Sequence, residues 1–488
     1  MAWEDIMSMN EQIRLLVSSG AKVLSLESTP IAQDEDWFRQ FAVTRRRFQE
    51  GDFAGQVCTI HGQTTRGNDP IGDLAAESYA AICMRDYGLA GASPIDLLTF
   101  VHGALERGGH FFCSGSAERR GATYWSARDS FEFFLTIAQR CGFSVSDSEI
   151  SESGEAPGHF CVVLRRDSVA PRWGLFHLRE ADLPGFVTLF RDSFNSDVSI
   201  DLWRWKYGAG RGLAIVAKRG ERLVAHYGGT IRDVSYFGER GQAVQICDVM
   251  VDPRERAVMT KKGAMFMTTA TFFETYLGLG DYTLVYGFPT RRHMQLGEKL
   301  GLYGEVDRMV EVRWPAAKDR PRLQTRVSFL DGEDPKQDQE VDVLWALMRV
   351  DLREAVVVVR DSDYLKYRYF SHPTIDYDVV CVRARLSGKA LGIMVLRREP
   401  DSCELVDIVA PLSGLPWIID QARRMAGRWG FETLYCWATQ HQAHRFVCGA
   451  GTVTPLDVSV ATSVWLKGQS HGHLIDKWWL MSGDTEFR

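Results

Sequence analysis

No two of the ten cysteines stand as a Cys-x-x-Cys pair, and none joins a Cys/His cluster at metal-ligand spacing. Structural zinc and iron–sulfur centres need such clusters, so no metal site is expected. Cys58, Cys83, Cys113, Cys141, Cys161, Cys247, Cys381, Cys403, Cys436 and Cys448 are scattered singly, most of them inside apolar runs. That pattern reads as buried free thiols in a reducing compartment. Long apolar runs are missing too. The longest aliphatic one is AVVVV at 355–359, far short of the ~20 residues of a membrane span. The opening residues, MAWEDIMSMNEQIRLL, carry acids where a secretory leader carries bases, and a cytoplasmic protein is expected. A basic excess is also lacking. Fifty-seven Lys+Arg against 63 Asp+Glu give a formal charge of −6, which argues against a partner with a phosphate backbone.

What is present is the balance of a globular protein: 45% hydrophobic and 25% charged residues over 488 positions. Such a length suggests three domains. Two stretches read as linkers, RRDSVAPR at 165–172 and the charged, proline-containing PAAKDRPRLQTRVSFLDGEDPKQDQEV at 315–341. The expected division is 1–168, 173–314, a linker at 315–344, and 345–488.

The first segment alternates strand-like runs (KVLSL at 22–26, QVCTI at 56–60, YAAICM at 79–84, HFFC at 110–113) with helical patterns at 95–106 and 130–140. It closes on a strand pair, 144–150 and 159–164, around ESGEAPG. Alternation of this kind predicts an open, mainly parallel sheet covered on both faces. The order GAKVLSLES … YAAICM … LLTFVHGALERGGHFFCSG … FFLTIAQRCGFSV … HFCVVLRR resembles a class I SAM-dependent methyltransferase over residues 11–166. Where those enzymes carry an acidic-x-Gly-x-Gly turn after the first strand, this chain has Ser25-Leu26-Glu27-Ser28-Thr29-Pro30. Glycines at such a turn let the backbone approach a cofactor closely. The expectation is therefore a degenerate domain without working SAM chemistry.

The remaining two thirds contain a repeat. Asp201-Leu-Trp-Arg-Trp-Lys-Tyr207 and Asp363-Tyr-Leu-Lys-Tyr-Arg-Tyr369 share one pattern. Each is followed by two strands around a Gly-containing turn. Each later shows an aspartate-bearing apolar strand ending in proline, ICDVMVDP at 246–253 and LVDIVAP at 405–411. A helix, a strand (283–288; 433–438) and a further helix opening near His293 or His441 complete both copies. This order resembles the GNAT N-acyltransferase superfamily, most closely at 173–314, with 345–488 as a divergent second copy. The fold class expected for the whole chain is α/β: a Rossmann-like, methyltransferase-type sheet followed by two GNAT-like domains.

The resemblance implies an acyl-CoA cofactor, acetyl-CoA or another, held where a loop enters a helix. Backbone N–H groups and the helix dipole favour anions there. The segment runs from Met250 and Val251 through Asp252, Pro253, Arg254, Glu255, Arg256, Ala257, Val258, Met259, Thr260, Lys261 and Lys262 to Gly263. Arg254, Arg256, Lys261 and Lys262 supply the cations, and Gly263 is its only glycine. The corresponding stretch of the second copy, PLSGLPW at 411–417, has no basic residue, so that copy is expected to bind no CoA and to be non-catalytic. An attacking amine must lose a proton and a departing thiolate should gain one. The family's tyrosine acid aligns with Gly297, so the candidates are Asp248, His293, Tyr227 and Tyr286. His226, on an otherwise apolar strand, reads as a satisfied core histidine. Trp203, Trp205 and Tyr207 are the candidates for the acceptor side. The reading that results is a bacterial-type acyl-CoA-dependent N-acyltransferase. It would act on an amine of a small molecule or sugar by direct attack. The alternatives are a methyltransferase with substrate-positioning GNAT-like domains and a non-catalytic assembly protein.

Overall fold

Apolar runs bounded by turn residues become strands in the front part of the chain. The computed structural model describes residues 12–13, 15–27, 42–47, 78–89, 94–117, 125–151, 158–258, 260–317, 324–447, 450–467 and 469–485. The expected strand at 56–60, the turn residues Ser28, Thr29 and Pro30, and Met259 lie outside them. Strands β1 (Lys22–Glu27), β2 (Ala42–Arg47), β3 (Tyr79–Gly88) and β4 (Leu105–Ala117) run parallel. Strand β6 (Gly158–Arg166) is antiparallel to both β4 and β5 (Phe143–Ser151) and is inserted between them. The order is β2-β1-β3-β4-β6-β5. The helix Pro94–Ala104 buries Ile95, Leu97, Leu98 and Val101. The helix Ala127–Arg140 starts where Ser126 and Asp129 form a reciprocal capping box, a device worth about 1 kcal/mol.

The chain divides into two compact units, one of Met1–Ser196, Ala214–Tyr227 and Asp248–Thr283, the other of Asp197–Leu213, Gly228–Cys247 and Leu284–Arg488. The physical reason lies in the first unit. The helix Ala264–Phe273 continues as a π-helical turn, Glu274–Gly278, and this end packs on Ala127–Arg140. Buried Arg140 pairs with buried Glu274, and Trp125 Nε1 donates to the Leu277 carbonyl at 3.1 Å. Gly278 leaves room for Phe133, whose ring would lie 2.5 Å from any Cβ there. Strand β7 (Gly174–His177) pairs antiparallel with β8 (Gly212–Arg219) in the same unit. His177 Nδ1 lies 2.9 Å from the Tyr276 hydroxyl. The expected linker at 315–344 also carries structure, the strand Thr325–Phe329 and the first half of the helix Pro335–Asp351.

The second unit is built on one long sheet. Its strands are β9 (Arg222–Tyr236) and β10 (Glu239–Val251), which give it residues 228–247, then β11 (Leu284–Gly287), β12 (Tyr303–Pro315), β13 (Thr325–Phe329) and β14 (Val356–Val358). They continue with β15 (Asp378–Ala384), β16 (Ala390–Arg398), β17 (Cys403–Val409), β18 (Thr433–Thr439), β19 (Thr452–Ser463) and β20 (Trp478–Trp479). The order is β13-β15-β16-β17-β18-β12-β19-β11-β10-β9-β14-β20. Read outward from β12 and β19, both directions give the same sequence of pairings. An antiparallel neighbour (β18 or β11) comes first, then its parallel partner (β17 or β10). Strand β12 thus lies beside β18, and β19 beside β11.

The repeated aromatic-basic box obeys the same symmetry. Trp205 and Tyr367 occupy equivalent positions of the two boxes, and their rings stack at 4.7 Å with an interplanar angle of 16°. Trp205 Nε1 donates to the Tyr367 carbonyl and the Tyr367 hydroxyl donates to the Trp205 carbonyl, both at 3.1 Å. Arg368 lies 5.5 Å from the Trp205 ring, and Arg211 5.0 Å from the Tyr367 ring. Trp205→Ala removes a buried stack and the Nε1 hydrogen bond; a loss of about 3–5 kcal/mol is expected from denaturant unfolding followed by circular dichroism.

Candidate active site

Strand β10 changes character halfway along. Its parallel ladder with β11 runs from Ala243/Leu284 to Ile246/Gly287 and stops there, while the strand itself continues to Val251. Within the continuation Asp248 adopts φ +51°. A left-handed conformation in mid-strand is strained for a residue with a Cβ, at a cost of roughly 1–2 kcal/mol, and it marks a bulge. The bulge has a support. The Asp248 carbonyl accepts a hydrogen bond from His226 Nδ1 at 2.7 Å, so the proton of that imidazole sits on Nδ1. His226 is buried and packs edge-on against Phe186, 5.0 Å between ring centres. To the core position that its apolar strand implies, the structure adds the task of holding a strained peptide.

Beyond the bulge the chain enters a loop whose charges are mostly spent on itself. Buried Asp252 accepts from its own turn, Arg254 N at 2.8 Å, and from the Arg254 and Arg222 guanidinium groups. Buried Glu255 receives Arg172 at 2.8 Å and Arg219 and Arg222 at 3.1 Å each. Burial alone would raise both carboxyls, but the hydrogen bonds and positive charge of these arginines outweigh it and hold both below the ordinary carboxylate range. Arg254 is thus engaged by Asp252, and Arg256 Nε donates to the Val251 carbonyl at 2.8 Å. Lys261 and Lys262 are exposed, Lys261 Nζ lying 6.0 Å from the Phe266 ring.

Gly263 is the N-cap of the helix Ala264–Phe273. A Cβ at this position would stand 1.9 Å from the Val258 carbonyl oxygen, so the loop closes only over glycine. Gly263 N donates to the Thr260 carbonyl at 2.8 Å and Lys262 N to the Thr260 hydroxyl at 3.2 Å. The first-turn amides of Ala264, Met265 and Phe266 are donors a helix cannot satisfy internally. Two exposed ammonium groups and a helix N-terminus suit a diphosphate. Met250 is buried, Val251 and Val258 are half-buried, and Ala257 and Thr260 are exposed.

The remaining candidates fall in two groups. Tyr227, in the unit that holds the loop, is buried against Phe272 and Phe273 with ring centres at 5.1 and 5.7 Å. In the other unit Tyr286 is buried, its hydroxyl 3.4 Å from Gln245 Oε1 and its ring against Trp478. Trp203 and Tyr207 stack there at 5.8 Å, and the Tyr207 hydroxyl lies 3.4 Å from Cys247 Sγ. His293 is exposed in the first turn of the helix Arg291–Leu300, with Nδ1 3.4 Å from the Thr290 hydroxyl. Three contributors visible in the fold, His226, Asp252 and Glu255, are not among the site candidates that the sequence offers. The acid–basic alternation D-P-R-E-R is the signal available for the latter two.

Among the described residues no cluster of three or more His, Cys, Asp or Glu could hold a metal, and no helix is long and apolar enough to cross a membrane. The described cysteines are free, and burial pushes the thiols of Cys83 and Cys403 up to about 12, which makes them unreactive.

Residues 176–303 match the family model of the acetyltransferase (GNAT) domain. In this segment the protein is an acyl-CoA-dependent N-acyltransferase of the GNAT kind. The chain matches no curated protein. Among solved structures it is similar to a probable N-acyltransferase from Enterococcus faecalis V583, with 14% identity, 60% of this chain and 72% of that one covered, and a TM-score of 0.48. It is similar to a GCN5-related N-acetyltransferase from Kribbella flavida, with 14% identity, coverage of 60% and 71%, and a TM-score of 0.44. A Saccharomyces cerevisiae N-myristoyltransferase with bound myristoyl-CoA gives 9% identity, coverage of 60% and 80%, and a TM-score of 0.41.

Glu255→Gln leaves Arg172, Arg219 and Arg222 without their shared anion and is expected to lower the thermal unfolding midpoint at neutral pH. Because Glu255 is held below its unfolded value, its stabilisation is present above about pH 4–5 and fades as pH falls through the folded value. The two unfolding midpoints should therefore converge in acid, measured by calorimetry from about pH 7 down to about pH 3.

Proposed function

We propose that the protein transfers an acetyl or other acyl group from acyl-CoA to the amine of a small molecule or sugar by direct attack. The observation that carries this reading is the bulge at Asp248, placed where the β10/β11 ladder ends and followed by a loop suited to a diphosphate. Beyond its last β11 rung, Ile246/Gly287, strand β10 runs on to Val251, and the thioester carbonyl would dock beside that stretch, where preorganised donors to a developing oxyanion are commonly worth a few kcal/mol. The bound cofactor would supply an activated thioester. Lys261, Lys262 and the first-turn amides of Ala264–Phe273 would grip its diphosphate, with Gly263 providing the close approach.

The half-exposed Asp248 carboxylate is the proposed proton acceptor for the attacking amine, directly or through one water. Tyr227 and Tyr286, buried among aromatic rings, serve as walls in this reading. His293, exposed on its helix, is the second candidate for proton transfer. Trp203, Trp205 and Tyr207 form the proposed acceptor side. The mirrored strand order around β12 and β19 and the reciprocal Trp205–Tyr367 contact support a duplicated GNAT unit. The order β2-β1-β3-β4-β6-β5, with β6 inserted antiparallel, supports a methyltransferase-like origin for the front sheet, with a scaffolding role through the Arg140–Glu274 pair.

Thiol release from acetyl-CoA and longer acyl-CoAs across a panel of amines tests the activity; no release from any pairing removes it. Lys261→Glu with Lys262→Glu is expected to raise KM for acyl-CoA more than about tenfold with kcat nearly unchanged. Asp248→Asn is expected to lower kcat by about 10²-fold, and an unaltered kcat excludes Asp248 as the base.

A further inference from the structure

In the second half of the repeat, the place equivalent to the end of the β10/β11 ladder is filled. Strands β17 and β18 share only two parallel rungs, Cys403/Leu434 and Glu404/Tyr435, although β17 runs on to Val409 and β18 to Thr439. What lies against both strands beyond those rungs is a later segment of the same chain, residues 480–485. Met481 forms an antiparallel bridge with Ala438. Thr439 N donates to the Leu480 carbonyl at 3.1 Å, and the Thr439 hydroxyl donates to the Trp478 carbonyl at 2.8 Å. On the β17 side the Ser482 hydroxyl donates to the Val406 carbonyl at 3.4 Å. At Gly483 a Cβ would stand 3.2 Å from both the Val406 carbonyl oxygen and Asp407 Cβ, and 2.2 Å from the Tyr369 hydroxyl. Only glycine fits.

The seat is charged as well as shaped. Arg360, fully buried, bridges Asp407 of β17 at 2.9 Å and Asp484 of that segment at 2.5 Å. Buried Arg368 donates to the Gly483 and Thr485 carbonyls, both at 2.9 Å. Tyr369, the counterpart of Tyr207, donates to Asp407 at 2.7 Å, and Gln245 of β10 donates to the Asp484 carbonyl. Arg360 therefore faces two buried carboxylates, and Arg368 two backbone carbonyls of the segment. Withdrawing the segment would take one carboxylate from Arg360 and both of these carbonyls from Arg368, and a buried charge that loses its partners is strongly destabilising.

We infer that the opened β17/β18 ladder is a peptide-binding groove whose ligand, residues 480–485, is supplied in cis. The groove selects a backbone that is extended up to Met481 and tightens into a single 3-10 turn at Ser482–Asp484, with glycine at one position of the turn and a carboxylate at the next. Its occupant lies where an acyl-CoA would have to enter this half of the repeat. The consequence, one acyl-CoA site per chain, rests on the reading of the first half proposed above; the occupancy does not.

The full-length protein tests both parts separately. Hydrogen–deuterium exchange read by mass spectrometry should show amides 480–485 protected to the degree of β12. Exchange at the rate of an unstructured peptide overturns the inference. Gly483→Val should accelerate exchange in 480–485 at least about tenfold; if it lowers global stability too, the wild-type protection still decides. Equilibrium dialysis with acetyl-CoA should give one bound per chain, and two per chain overturns the inference. No bound acetyl-CoA would remove the acyl-transfer reading, and protection of 480–485 would then decide the groove by itself.

Discussion

The antiparallel pairing of β12 with β19 is the joint on which the second unit depends. Besides pairing with each other, β12 pairs with β18 and β19 with β11. Remove either and a central strand of a continuous sheet is lost, leaving an unpaired edge inside a hydrophobic core. The core around them (Val310, Val312, Trp314, Leu434, Cys436 and Ala438 among its members) is drawn from both halves. Pairing of this kind locks residues 228–247 and 284–488 into one folding unit. It also explains why Trp205 and Tyr367 touch, since equivalent residues meet only near an axis of symmetry.

The two aspartate-bearing strands that share a sequence pattern are chemically unequal. In the first, an aspartate sits half-exposed on a bulge, with a loop beyond it that offers lysines and a helix N-terminus. In the second, the matching aspartate is fully buried, bound by Arg360 and Tyr369, and covered by residues 480–485. Exposure alone separates the roles these two carboxylates can take. A carboxylate that must accept a proton needs access, whereas one that anchors a packed segment needs the opposite. The loop in the first unit obeys a similar division. Arg254 is consumed by Asp252, and three further arginines converge on Glu255, so the loop's shape is set by internal pairing. Lys261 and Lys262 stay exposed beside it.

Much of this was legible in the chain. The apolar periodicities at 79–84, 110–113, 130–140 and 159–164 correspond to β3, β4, the helix Ala127–Arg140 and β6. The D-x-x-basic-aromatic-basic-Tyr repeat marked the two halves, and the glycine at 263 marked the helix entry. The strand inside 315–341 was not legible. A polar, proline-containing stretch such as 315–341 has the composition of a linker, but β13 gains its stability from pairing with β15, a contact distant in sequence. The front segment likewise joined the first half of the acetyltransferase domain through Arg140 and Glu274, two residues that carry no local sign of each other.

Local sequence settled which segments became strands and helices, where they were capped, and which residues recur at matching places, because these follow from side-chain period and backbone preference over a few residues. The tertiary structure alone decided that His226 would restrain Asp248, that β12 and β19 would pair with each other, and that residues 480–485 would fill the second ladder. Each of these depends on burial shared between segments tens to hundreds of residues apart, and the energy of such a contact belongs to the pair rather than to either stretch of chain.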